Sequence, residues 1–288
     1  LRLYPIQEYS MSSSEKLPEI SLIVASYKHP ETLRLCLNSL RASLVNAAFN
    51  YEILVADSAT EIPTKDMMAK DFPEISFFPF ENNVGFQRIV REGLEHARGE
   101  YLFVLNYDIV APNDSIEKLL AYLKSHPDVG IVGPKLLNFN GSMQPSAFRF
   151  YRPWTILYRR TFFGKFPFAK KHLSWFLMED FDHEHPQEVD WIMGSALLVR
   201  REAYAKVGPM DTRFFMYMED VDWCRRFWEA GYKVVYYPQA TLFHYHGKGS
   251  AKGGFLRSLL FNRLTWYHIA SAWKYFWKYA GKKVPEHQ

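Results

Sequence analysis

The sequence predicts an α/β fold with a mostly parallel central sheet covered on both faces by helices. Short apolar runs alternate with segments whose apolar residues recur at helical spacing. Hydrophobic residues make up 48% and charged residues 23% of the 288, a balance that fits a folded globular chain and argues against a disordered or fibrous one. Polar and acidic residues stand at the ends of the apolar runs, where open α/β sheets bind ligands. This length accommodates one large domain, or a core with a small appendage.

Residues 1–18, containing SMSSSEKLP, read as a loose leader. EISLIVASY supplies the first strand and ETLRLCLNSLRASL a helix. NYEILVADSAT is a second strand ending in Asp57 and Ser58, and ISFFPF a third before the turn NNVGF. VGFQRIVREGLEHARGEYLFVLNYDIV reads as loop, helix and strand, with Asp108 just past the strand's carboxyl end. This order puts Ser26, Asp57, Asn106 and Asp108 near one rim. Asn113 is placed to cap a helix through IEKLLAYLKSH, and DVGIVGPKLLN follows as strand and turn. EVDWIMGSALLVRREAYAKVG reads as strand and short helix, and EDVDWCRRFWEAGYKVVYYP as helix, glycine turn and strand.

Aromatic residues reach 17%, more than core packing ordinarily requires, and they cluster with positive charge. Residues 146–178 hold seven Lys/Arg, eleven aromatics and no Asp/Glu; residues 251–285 hold seven Lys/Arg, nine aromatics and no Asp/Glu. Such mixtures suit an anionic membrane surface, a polyanionic or carbohydrate ligand, or an appendage packed on the core with its lysines solvated. No apolar run approaches the roughly 18 residues of a membrane span, so the expected location is cytoplasmic or peripheral on a membrane face. Cys36 and Cys224 are too few for a disulfide framework and lack metal-ligand spacing.

Several chemistries are disfavoured. The first strand is followed by SYKHPE where a dinucleotide-binding GxGxxG would stand, and no Walker A loop occurs. Zinc-finger, helix-turn-helix and RNP signatures are missing, which argues against nucleic acid. Asp108, in NYD, could hold a hard divalent cation that bridges a diphosphate, with the remaining ligands supplied by diphosphate oxygens, water and a distant residue. In MYMEDVDWCRR, residues 216–226, three acids sit beside a hydrophobic run, a pattern that also suits a helix N-terminus.

Read as an ordered set, SLIVASYKHPETLRLCLNSL, ILVADSAT, NNVGFQRIVREGLEHARGEYLFVLNYDIVAPND, GIVGPKLL and VDWIMGSALLVRREAYAKVGPMDTRFFMYMEDVDWCRRFWEAGYKVVYYPQATLFHYHGKGS resemble the family 2 glycosyltransferases of GT-A fold, especially the bacterial rhamnosyltransferase branch. The resemblance spans most of residues 20–250. It implies that Asp57 contacts the pyrimidine base of a nucleotide sugar, with Ser26 and Tyr27 at the same end of the pocket. It places Asn83 and Gly85 beside the nucleotide, Gly93 at a further matching position, and Asp108 at the metal. Asn106 replaces the first aspartate of the family's DxD pattern. Arg91 occupies a site that is frequently Asn in relatives and is expected either at the diphosphate or on a helix surface.

By the same resemblance Asp220 is the general base for the acceptor hydroxyl, Glu219 orients the acceptor or neighbouring groups, and Asp222 supports the local framework from another helical face. Trp191, Gly194 and Ser195 are expected in the acceptor-side wall. His244, or its competitor His246, is expected at the metal or diphosphate, with Lys248 and Ser250 covering the phosphates. The implied reaction is an inverting displacement assisted by Mg²⁺ or Mn²⁺, from a dTDP- or UDP-linked sugar, dTDP-rhamnose first, onto a cell-surface or lipid-linked glycan. The implied organisation is a catalytic domain over 19–250 and, over 251–288, a helical appendage that lies on a membrane surface or packs on the core. A noncatalytic binding protein that kept the fold is the alternative.

Overall fold

The computed structural model describes residues 17–245 and 263–285. In chain order the strands are β1 (Ile20–Tyr27), β2 (Tyr51–Ser58), β3 (Ser76–Phe80), β4 (Tyr101–Asn106), β5 (Ile109–Val110), β6 (Val129–Leu137), β7 (Met143–Gln144), β8 (Ala147–Phe148), β9 (Gln187–Glu188), β10 (Trp191–Ile192), β11 (Ala196–Arg200) and β12 (Lys233–His244). The helices are α1 (Pro30–Leu44), α2 (Ile62–Asp71), α3 (Phe86–His96), α4 (Ser115–Ser125), α5 (Pro153–Arg160), α6 (Pro167–Phe176), α7 (Arg201–Val207), α8 (Glu219–Glu229) and α9 (Arg263–Lys278). No described helix is long and apolar enough to cross a membrane.

The main sheet runs β3-β2-β1-β4-β11-β6-β12-β5. Strands β3, β2, β1 and β4 pair in parallel, as do β6 and β12, whereas β11 is antiparallel to both β4 and β6. Strands buried on both faces are mostly apolar, and β1 obeys: five of its first seven residues are core hydrophobics, the other two being the equally buried Ser21 and Ser26. One core lies under α1, α2 and α4; the other lies under α3, α8 and the buried side of α9.

Local chemistry differs from the sequence reading in two places. Asp114, not Asn113, occupies the cap position of α4, in a left-handed conformation and without a side-chain capping bond. Strand β12 continues past Pro238 through a bulge, so His244 is its last residue and not part of a following loop. Residues 146–178 contribute β8 and the helical pair α5 and α6. The appendage is helical over α9, which lies on the loop 211–218 and on α8 through Ser271 Oγ–Met216 O (2.9 Å) and Tyr279 Oη–Asp222 (2.9 Å).

Candidate active site

The carboxyl ends of β1, β2 and β4 form the rim that the strand order predicts. Ser26 pairs in register with Asp57, and Ala25 with Asn106. A cleft of about 200 Å³ opens there, lined by Ser26, Tyr27, Ser58, Asn83, Gly85 and Asn106, with Phe86, Tyr107 and Met216 closing its sides. Asp57 lies buried between Ser26 and Ser58, and neither carboxylate oxygen has a hydrogen-bond donor in good geometry. Burial pushes its carboxyl above the ordinary range, opposed by the neighbouring Ser26 and Thr60 hydroxyls. A buried acceptor at a ligand rim suits an incoming N–H donor.

The turn before α3 is fixed by Asn83, whose Oδ1 accepts from the Gly85 amide at 3.1 Å and from the Ser58 hydroxyl at 3.3 Å. Gly85 has φ +84°, and a Cβ there would stand 2.7 Å from the Phe215 carbonyl oxygen. Both the conformation and the space therefore require glycine. The structure does not bring Arg91 to this cleft. Its guanidinium pairs with Glu95 at 2.7 Å one turn further along α3, so it decorates the helix surface.

Asp108 turns toward a second cleft of about 220 Å³, shared with Thr32, Leu35, Phe139 and Tyr245. Its Oδ1 is buried, lacks a hydrogen-bond donor, and faces His244 Nε2 at 3.3 Å. Gln144 sets the tautomer of that histidine. Its Nε2 donates to Asn138 Oδ1 (3.2 Å), so its Oε1 accepts from His244 Nδ1 (2.6 Å), which directs Nε2 toward the carboxylate. Two ligands on one small divalent cation at about 2.1 Å each stand about 3 Å apart, so this pair fits such an ion. Among the described residues no group of three or more His, Cys, Asp or Glu assembles, which leaves other positions to substrate oxygens and water. His246, Lys248 and Ser250 lie outside the described residues.

The acidic knot answers to a different strand end. Because β11 runs antiparallel, its beginning lies at the rim, and the turn holding Gly194 and Ser195 meets the start of α8 there. The Asn106 amide donates to the Ser195 carbonyl at 2.9 Å, tying this turn to β4. Asp220 accepts from the Gly194 amide (3.0 Å) and from its neighbour's, Val221 (2.9 Å). A Cβ on Gly194 would lie 3.3 Å from Asp220 Cβ and 3.5 Å from Phe86, which also lines the first cleft. Tyr217 and Met218, both with positive φ, fold the chain sharply into α8.

Burial raises the Asp220 carboxyl above its ordinary value, while the two backbone N–H groups work against the shift. Glu219 is pushed up further, by burial and by the charge of Asp220, and its Oε2 has no donor. The pair therefore favours an ionised Asp220 beside a Glu219 biased toward its protonated form. Asp222 serves the framework. It is fully buried and takes bonds from Arg226, Lys278 and Tyr279. Trp191 is buried, with its indole N–H on the Arg149 carbonyl, and Ser195 is buried behind Gly194. Both cysteines are buried, which raises their thiols and disfavours a nucleophilic role.

Sequence reasoning missed Gln144, Phe86 and Met216. Gln144 lies in a two-residue strand with no pattern to betray it; Phe86 directly follows the NNVG turn and Met216 opens the acidic segment, so position alone could have nominated both.

The family model described as Glycosyl transferase family 2 matches residues 21–184. The chain is 28% identical over 256 residues to an N-acetylglucosaminyl-diphospho-decaprenol L-rhamnosyltransferase of Mycobacterium tuberculosis, covering 78% of this chain and 76% of the relative. It is 24% identical over 270 residues to Rhamnosyltransferase WbbL of Escherichia coli strain K12, covering 89% and 92%. Among solved structures, GalNAc-T7 with UDP, GalNAc and Mn²⁺ aligns with a TM-score of 0.56 at 16% identity, over 80% of this chain and 44% of that one. S. aureus TarS 1–349 aligns with a TM-score of 0.53 at 14% identity, over 78% and 60%. This chain spans less than two thirds of either solved neighbour, and the shared feature is the GT-A fold.

Proposed function

The chain belongs to glycosyl transferase family 2, and we propose that it moves rhamnose from dTDP-rhamnose, with inversion, onto a hydroxyl of a lipid-linked or cell-surface glycan. The observation that carries the reading is Asp220. Its carboxylate is oriented by two backbone N–H groups, is shifted toward basicity by burial, and sits at Gly194, beside which Phe86 lines the donor-side cleft. The names of the two rhamnosyltransferase relatives support the sugar, and the first of those names supports a polyprenyl diphosphate-linked acceptor.

In this mechanism Asp57, Ser26 and Tyr27 hold the base, with Asp57 accepting its N–H. Asn83, Gly85 and Asn106 border the ribose and phosphates. Asp220 removes the acceptor hydroxyl proton as the oxygen attacks the anomeric carbon, and the bond to the nucleotide diphosphate breaks on the opposite face. Glu219, protonated, donates a hydrogen bond that positions the acceptor. Trp191, Gly194 and Ser195 back the acceptor side. Asp108 and His244 would hold Mg²⁺ or Mn²⁺, whose chemistry there is neutralisation of charge on the departing diphosphate.

The test is nucleotide release from dTDP- and UDP-sugars, with either cation and lipid-linked N-acetylglucosamine acceptors, for wild type and folded Asp220→Asn. Acceptor-dependent release of dTDP that the substitution abolishes is the expected result. Donor binding without turnover across a broad acceptor panel would instead identify a noncatalytic binding protein.

A further inference from the structure

Helix α9 has two faces of opposite design. Thr265, His268, Ser271, Ala272, Tyr275 and Tyr279 are buried against the protein. On the other face Trp266, Trp273 and Trp277 are 54%, 66% and 72% exposed, with Ile269 between them at 38%. These positions repeat at i, i+3, i+7 and i+11, so they form a continuous stripe. Trp273 and Trp277 stack with centroids 5.6 Å apart, and exposed Lys282 and Lys283 follow the helix.

A second patch of the same composition lies on another element. The segment α5 to α6 exposes Trp154, Leu157, Phe162, Phe166 and Phe168, accompanied by exposed Lys165, Lys170 and Lys171. Tyr151, two residues before α5, packs edge-on against His268 on the buried face of α9, ring centroids 6.3 Å apart. Neither 146–178 nor 251–285 contains an acidic residue.

We propose that these two patches form a seat for an anionic phospholipid bilayer. Tryptophan stripes with adjoining lysines and no acids match the chemistry of the headgroup layer, where indoles sit at the apolar boundary and cations meet lipid phosphates. A second copy of the chain is a poor occupant, because an isologous contact would face one cationic surface with its twin. The seat is joined to the active site. Ser271 holds the carbonyl of Met216, a residue lining the donor-side cleft, and Lys278 and Tyr279 hold Asp222, two residues from Asp220. The surface stands independently of the proposed reaction, since it involves none of the residues assigned to chemistry.

The experiment is co-sedimentation of the full chain with vesicles containing roughly 30% phosphatidylglycerol in phosphatidylcholine, against pure phosphatidylcholine. Binding is expected to the anionic vesicles, with a blue shift of tryptophan emission, and to weaken in about 0.5 M NaCl. Trp273→Ser with Trp277→Ser should lower partitioning about tenfold or more. Phe166→Ser with Phe168→Ser, on the other patch, should lower it too and serves if the first variant misfolds. Binding of dTDP should be unchanged in both, which separates this test from that of the reaction. Absence of vesicle binding, or binding that neither variant weakens, overturns the proposal. So does sedimentation velocity showing a wild-type dimer that the tryptophan variant dissociates.

Discussion

The attachment of α9 to α8 can be tested through the pair Asp222 and Lys278. Asp222 is fully buried and shared by Lys278, Tyr279 and Arg226, while Lys278 also reaches Asp211 at 2.7 Å. At the 2.5 Å between Lys278 Nζ and Asp222 Oδ1, in an effective dielectric of about 20, two unit charges attract by roughly 6–7 kcal/mol. Desolvation of both ions offsets most of that, leaving a coupling of about 2 kcal/mol. Each charge retains another partner when its mate is removed, so Asp222→Asn and Lys278→Met should each cost about 2–3 kcal/mol, toward the lower end for a broken buried pair. The double variant should cost about 2–4 kcal/mol, short of the sum by that coupling. Urea unfolding near neutral pH, followed by both circular dichroism and tryptophan emission, measures all four corners of the cycle. A coupling below about 0.5 kcal/mol would refute the reasoning, because the charges would then be independent. The acid dependence has a definite sign. Burial alone would raise the Asp211 carboxyl, but Arg213 and Lys278 hold it well below the ordinary range. Its contribution is therefore present above the unfolded carboxylate pKa and is lost only as pH falls through the lower folded value.

Because burial and the charge of Asp220 bias Glu219 toward its protonated form, Glu219→Gln should keep kcat within several-fold and stabilise the fold; loss of activity like that of Asp220→Asn would show an ionised Glu219. The rise of kcat/KM with pH should report Asp220, as a limb above the roughly 3.9 of an ordinary aspartate, because a base acts only once deprotonated. Gly85→Ala should cost about 1–3 kcal/mol in denaturant titration and weaken dTDP binding, through its positive φ and the Phe215 carbonyl. Gln144→Leu should raise the Mn²⁺ concentration for half-maximal activity about 10-fold or more, by releasing the His244 tautomer; an unchanged titration would remove His244 from the metal site.

Most of the fold was legible because strands buried on both faces have to be written as apolar runs, and their carboxyl ends fall where the runs stop. Asp57, Asn106 and Asp108 could be placed on one rim for that reason. The antiparallel insertion of β11 was not legible: a buried strand reads the same in either direction, and only the pairing with β4 and β6 shows why Gly194 reaches the rim. Long-range polar contacts were equally hidden. The spacing of MEDVD suggested that Asp222 faces away from Asp220, but its partners lie 56 and 57 residues downstream. Proline at 238 suggested that the last strand stops, whereas a bulge absorbs it and carries the chain on to His244. For Arg91 the sequence left open the diphosphate or the helix surface, and the structure shows the latter, because a motif position constrains the backbone and leaves a long side chain to find a nearby carboxylate, here Glu95.

The reversed strand β11 also partitions the gene. Everything lining the donor-side cleft except Met216 is encoded before residue 108, whereas Gly194, Ser195, Glu219 and Asp220 come after residue 190, and the two sets meet along the β4–β11 pairing and where Phe86 approaches Gly194. A recombination or duplication event within the intervening stretch can thus exchange what receives the sugar while leaving untouched what delivers it. Chimaeras joined between β6 and β9 should inherit donor preference from the first parent and acceptor preference from the second, so one scaffold can diversify a glycan without a new nucleotide pocket having to evolve each time.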